Sequence, residues 1–214
     1  MGRQPLSAAS GRAIGPMKLF SAPVAALRAY AAHPDPRVAA ANFIALLVAS
    51  NQPFYPLYLW WLVSDRIEPA YYTFLSTPFF LAVPALTRWS SVAGRALLPL
   101  AGIANTILCA KLFGVASAVE VFLIPCAVLA LLLYRPAERL AGFLIAGLAF
   151  LAFIILHGRY GVPAVAYSAA EYEALMRLNA VSAGALTACA ALVFSNVLAA
   201  AERSAESTGD RETG

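Results

Sequence analysis

The sequence predicts an all-α polytopic membrane protein with six transmembrane helices and both termini in the cytoplasm. Three observations carry that expectation: the composition, a series of long apolar segments, and the placement of the basic residues. The chain is 61% hydrophobic and 12% charged with a mean hydropathy of +0.73, which leaves too little polar surface to cover a soluble domain of 214 residues. A helix rising about 1.5 Å per residue crosses a hydrocarbon core of about 30 Å with roughly 20 apolar residues. Segments of that order divide the chain into a cytoplasmic or interfacial stretch (1–41), a six-helix membrane domain (42–200) and a flexible cytoplasmic tail (201–214).

The N-terminal stretch is too broken by Pro16 and Lys18 for a cleaved signal peptide. Its Leu19, Phe20, Val24, Leu27 and Tyr30 recur at helical spacing, as in a helix lying among lipid headgroups; the alternative is a disordered tail whose start is Met17. Pro34-Asp35-Pro36 ends it, because proline lacks an amide donor and holds its predecessor extended. Six spans then follow: Asn42 to Val63, Tyr71 to Leu86, Arg95 to Phe113, Ala116 to Tyr134, Leu140 to His157, and Leu178 to Ala200. Their loops and tails divide Lys and Arg 11 against 4, with Arg66, Lys111, Arg159 and Arg177 in the minority, which puts the termini inside. Trp60, Trp61, Tyr71 and Tyr72 form an aromatic belt at the outer interface. The net charge of +4 is scattered rather than clustered, so nucleic acid is not an expected partner and the lipid bilayer is.

Polar residues inside the spans are the candidate ligand site. Glu120 sits in the fourth span, where an unpartnered carboxylate costs about 2.5–3.5 kcal/mol. Lys111, across the Gly114 turn, is its expected partner; the pair either fastens a hairpin or leaves Glu120 to bind a ligand, ion or proton. In the first span Pro53 and Pro56 cannot donate to the carbonyls of Ala49 and Gln52, so the run Asn51-Gln52-Pro53-Phe54-Tyr55-Pro56 reads as a kink. That kink is either packing or part of a binding cavity, as in the broken helices of transporters. Asn105 and Thr106 in the third span, with Pro78, Pro84, Pro99 and Pro125, extend the expected cavity into the outer half of the bundle. The loop after the fifth span brings His157, Arg159, Tyr160, Tyr167 and Tyr172 to the outer surface, as ligand contacts or as interfacial anchors. Within it Ser168 and Glu171 have capping-box spacing.

In the last span Ala180, Gly184 and Ala188 repeat at the small-xxx-small interval, a packing face for another helix of the chain, for a homodimer or for a partner membrane protein. Asn196 to Glu206 lacks proline, so the helix can run on into the cytoplasm. Cys109, Cys126 and Cys189 read as packing residues without a disulfide, and no metal or cofactor is expected. The absence of G-x-x-x-x-G-K-[ST], H-E-x-x-H and G-x-S-x-G argues against nucleotide hydrolysis, zinc proteolysis and α/β-hydrolase chemistry, leaving no catalytic residue to name.

NQPFYPLYLWWLV, NTILCAKLFG and LNAVSAG…FSNVLAAAE resemble the six-helix membrane sensor domains that precede class III cyclase catalytic domains in some bacteria, over about Asn42 to Glu202. The resemblance implies cytoplasmic termini, a bacterial inner membrane and a signal leaving through the last helix. No cyclase domain follows the last span here, so it implies a free-standing sensor or docking module for a small ligand or a partner. A small transporter or channel for a polar solute or proton is the alternative, and a membrane-embedded enzyme the third reading.

Overall fold

The computed structural model describes residues 25–212, with side chains as far as Arg203. Among the described residues the structure is all-helical: α1 (25–31), α2 (Pro36–Asn51), α3 (Tyr55–Leu62), α4 (Glu68–Tyr71), α5 (Thr77–Thr87), α6 (Ser91–Phe113), α7 (Leu123–Leu133), α8 (Arg139–Leu156) and α9 (Ala169–Glu212). The chain is a membrane protein, but its helices are not six uninterrupted spans. Three are long and apolar enough to cross a bilayer: Ser91–Phe113, Pro136–Leu156 and Ala169–Arg203. The other three apolar regions are broken. The expected headgroup helix falls mainly outside the described residues, apart from Leu27 and Tyr30 in α1.

Each break has a local cause. Asp35 caps α2 by accepting from the Arg37 amide at 2.9 Å, with Pro36 preorganised behind it, so the first apolar helix starts ahead of Asn42. At Pro53 the α-helical ladder gives way to a 3-10 turn, Gln52–Phe54, in which the Tyr55 amide donates to the Gln52 carbonyl. That bond satisfies an acceptor expected to be free. The second region has a 3-10 turn at Tyr72–Ser76 between α4 and α5. The fourth starts with 3-10 turns at Val115–Ser117 and Val119–Phe122, on either side of Ala118, whose φ of 53° lies in the left-handed region. Its α-helix therefore begins at Leu123 rather than near Ala116.

α6 is the central helix, touching α2, α5, α7 and α8, while α8 packs outside α7. Close approach depends on glycine at two points: a Cβ on Gly94 would lie 2.7 Å from the Thr87 amide nitrogen, and one on Gly142 2.8 Å from the Ala130 carbonyl oxygen. α8 buries the small residues Gly142, Ala146, Ala149 and Ala152 and turns Phe143, Leu144 and Ile154 outward. This is the inverse of a soluble helix, and lipid is the solvent that accommodates it. Trp60 and Trp61 are exposed where α3 ends, and Trp89 at the opposite end of the bundle.

At the Trp89 end a buried arginine organises three helices. Arg95, 1% exposed, makes two hydrogen bonds to the Glu138 carboxylate, at 2.8 and 2.9 Å, and donates to the Leu133 carbonyl at 2.7 Å. Arg37 donates to the carbonyls of Leu132 and Tyr134. Two guanidinium groups thus satisfy carbonyls that the end of α7 leaves without intrahelical partners, where the helix dipole also favours positive charge.

α9 has 44 residues, about 66 Å of helix, far more than a bilayer needs. Ser168 and Glu171 start it with the expected reciprocal bonds, 2.6 Å from the Ser168 amide to Glu171 Oε2 and 3.3 Å from the Glu171 amide to Ser168 Oγ. The helix runs on through Glu212, so residues 201–212 continue α9 rather than forming a coil.

Candidate functional site

A cavity of about 540 Å³ lies within the bundle and opens between α2 and α9, where Leu47, Asn51, Val181 and Ala185 are exposed. It occupies the junction of three packed clusters, sharing Phe80, Leu98 and Leu129 with one, Cys109 and Val119 with the second, and Cys126 with the third. α2, α3, α5, α6, α7 and α9 all contribute to its wall, α9 through residues from Val181 to Cys189. Its volume falls in the range of pockets that enclose small molecules.

Four of the residues expected at a ligand site line this cavity: Asn51, Gln52, Tyr55 and Asn105. Gln52 is fully engaged, donating to the Thr73 carbonyl and Ser76 Oγ and accepting from the Thr77 hydroxyl, so it fastens the first kink to the second 3-10 turn. The Tyr55 hydroxyl donates to Asn179 Oδ1 at 3.3 Å, and Asn179 Nδ2 donates to the Ser117 carbonyl at 2.9 Å. Asn179 is wholly buried and ties α9 to α3 and to the turn before Glu120. Asn51 makes no side-chain hydrogen bond among the described residues, and Asn105 Oδ1 is a buried acceptor without a partner.

Glu120 has other partners than expected. It is 6% exposed, and its carboxylate accepts from His157 Nδ1 at 2.6 Å and from the Tyr160 hydroxyl at 2.9 Å. Lys111 is exposed and makes no ion pair among the described residues. The reason is the left-handed Ala118, which places Glu120 in a 3-10 turn ahead of α7, against the end of α8. Burial and the adjacent carboxylate raise the Tyr160 hydroxyl above the usual phenol range. Glu120 does not line the cavity, although its neighbours Val119 and Phe122 do. Arg159 is exposed and joins neither group. Tyr167 belongs to the core: it is 7% exposed, stacks 6.3 Å from Phe113 and donates to the Arg66 carbonyl.

Sequence reasoning missed Asn179, Ser182 and Tyr58 as part of this region. An amide and a hydroxyl three residues apart, on one face of an apolar helix, were the available signal for the first two. The three cysteines are free thiols and all line the cavity. Ala180, Gly184 and Ala188 are exposed, with open space where a Gly184 Cβ would stand; α9 packs instead through Leu175, Asn179, Ala183 and Ala190. The small-residue face is therefore not a packing face within the described chain. Comparison with protein-family models, with curated proteins and with solved structures gives no match.

Proposed function

We propose that this protein is a membrane sensor or docking module: a six-pass protein of a bacterial inner membrane, with cytoplasmic termini, that binds a small ligand in its central cavity. The observation that carries this reading is the double role of α9, which lines the cavity between Val181 and Cys189 and then continues through Glu212. A ligand against that face changes the packing of the helix that leaves the bundle, which is how occupancy reaches a partner. The exposed Ala180-Gly184-Ala188 face offers that partner, or a second copy, a surface of close approach. The interrupted α2–α3 and α4–α5 regions serve as spans because their 3-10 turns are fastened to each other on the protein side, where Gln52 donates to the Thr73 carbonyl and to Ser76 Oγ.

Native mass spectrometry of protein released from its own membrane tests the reading. The expected result is a bound small molecule that is lost in Ser182→Phe, a variant that grows into the cavity from α9. Identical adducts in both proteins would overturn it.

The Glu120–His157 pair favours one second reading, proton-coupled transport, because it places two titratable groups in contact at one end of the bundle. Proton flux in proteoliposomes that disappears in Glu120→Gln would support that reading against sensing.

A further inference from the structure

Among the described residues the wall of the cavity contains no Asp, Glu, Lys, Arg or His, so an ion within it would be a charge without compensation from that wall. Four of its polar side chains are already used. Gln52, Tyr55 and Thr73 bond within the protein, and Thr106 donates to the Gly102 carbonyl at 2.8 Å. Asn105 is different, since its Oδ1 is buried without a partner, and a ligand that pairs with it removes the desolvation penalty of a lone acceptor. A hydroxyl both donates and accepts, so it pairs with this amide in either orientation of the side chain.

Asn105 also borders a second space. A groove of about 300 Å³ lies between Leu75 and Phe79 on one side and Leu97, Leu100 and Leu108 of α6 on the other, and Asn105 is common to its wall and the cavity's. Leu75 and Phe79 are more than half exposed, which opens this groove to the acyl chains of the bilayer. The groove is apolar apart from Asn105 and Ser76, and Ser76 is occupied with Gln52.

We propose that the cavity takes a neutral, bilayer-dissolved molecule bearing a hydroxyl group, which arrives laterally along the α5–α6 groove and is recognised by Asn105. This rests on the cavity being a ligand site, and it adds the ligand's charge, its polar group and its route. The affinity for such a molecule comes from apolar burial, while Asn105 discriminates the hydroxyl from a plain hydrocarbon.

The test uses the full chain in lipid nanodiscs and four photoreactive diazirine probes of equal chain length: an alcohol, an alkane, a carboxylate and a quaternary ammonium. The alcohol is expected to label peptides carrying Asn105 or Ser182 at least fivefold more than the alkane, and Asn105→Leu to erase that preference. The comparison of probes in the unmutated protein needs no variant to fold. Equal labelling by alcohol and alkane would overturn recognition of the hydroxyl. Stronger cavity labelling by either charged probe would overturn neutrality, and the cavity would remain a ligand site. If no probe labels the cavity, the inference and the reading beneath it both fall.

Discussion

Glu138→Gln removes one charge from the clasp at the Trp89 end of the bundle and leaves the Arg95 guanidinium, 1% exposed, without a counter-charge. Removing one partner of a dry ion pair costs about 3–5 kcal/mol, because the remaining ion stays buried. The Glu138 side chain is 27% exposed, so water already attends one partner, and Arg95 retains its bonds to the carbonyls of Leu133 and Ser91. Glutamine also keeps one acceptor. These facts lower the expectation to about 2–3 kcal/mol. Equilibrium unfolding in bicelles, by steric trapping, reads this difference directly. Arg95→Met is expected to be comparably destabilising, since it leaves the Leu133 carbonyl unpaired, and the double variant should lose less than the sum of the two. A Glu138→Gln protein within about 0.5 kcal/mol of the parent would show that the clasp is not a dry ion pair.

Further expectations follow from single contacts. Lys111→Met should leave stability within about 0.5 kcal/mol, whereas a double-mutant cycle of Glu120→Gln and His157→Ala should give a coupling of about 1 kcal/mol, given that the His157 side chain is half exposed; the opposite ranking would restore Lys111 as the partner. Gly94→Val brings a side chain against the Thr87 backbone, and a loss of at least 1–3 kcal/mol, about the range of overpacking, should appear in the same unfolding assay. Ala118→Gly relieves a left-handed alanine and should raise stability by about 1 kcal/mol, read as a higher unfolding midpoint.

The amount of the fold that was legible in the sequence follows from which physics is local. Apolar length located the three helices long enough to cross a bilayer, proline located the break at Gln52–Phe54, and the Ser168–Glu171 spacing located a helix start, although the short outer helix expected there is the first part of one continuous α9. The partner of Glu120 was not legible. Lys111 is near in sequence, but a single left-handed residue, Ala118, redirects the carboxylate to a histidine 37 positions away. Arg95 likewise reads as a loop arginine obeying the positive-inside rule, and only the meeting of α6 with the end of α7 makes it a buried clasp. The cavity was half legible: Asn51, Gln52, Tyr55 and Asn105 stand out as polar residues in apolar helices, whereas the contribution of α9 depends on its rotation. That rotation is set by Asn179 and Ala183 facing inward, which leaves Gly184 facing out.

If α9 carries occupancy out of the bundle, filling the cavity moves it, and a distance measurement reads that movement. With the three native cysteines replaced by alanine, spin labels at Arg139→Cys and Glu202→Cys report the separation of the exposed start of α8 from the far part of α9 by pulsed electron resonance. Val48→Phe fills the cavity from α2 without altering α9 itself. Helix displacements at switching interfaces are about 1–2 Å, so the distance distribution is predicted to shift by at least that amount on filling. Superimposable distributions for the two proteins would show that α9 does not respond to the cavity.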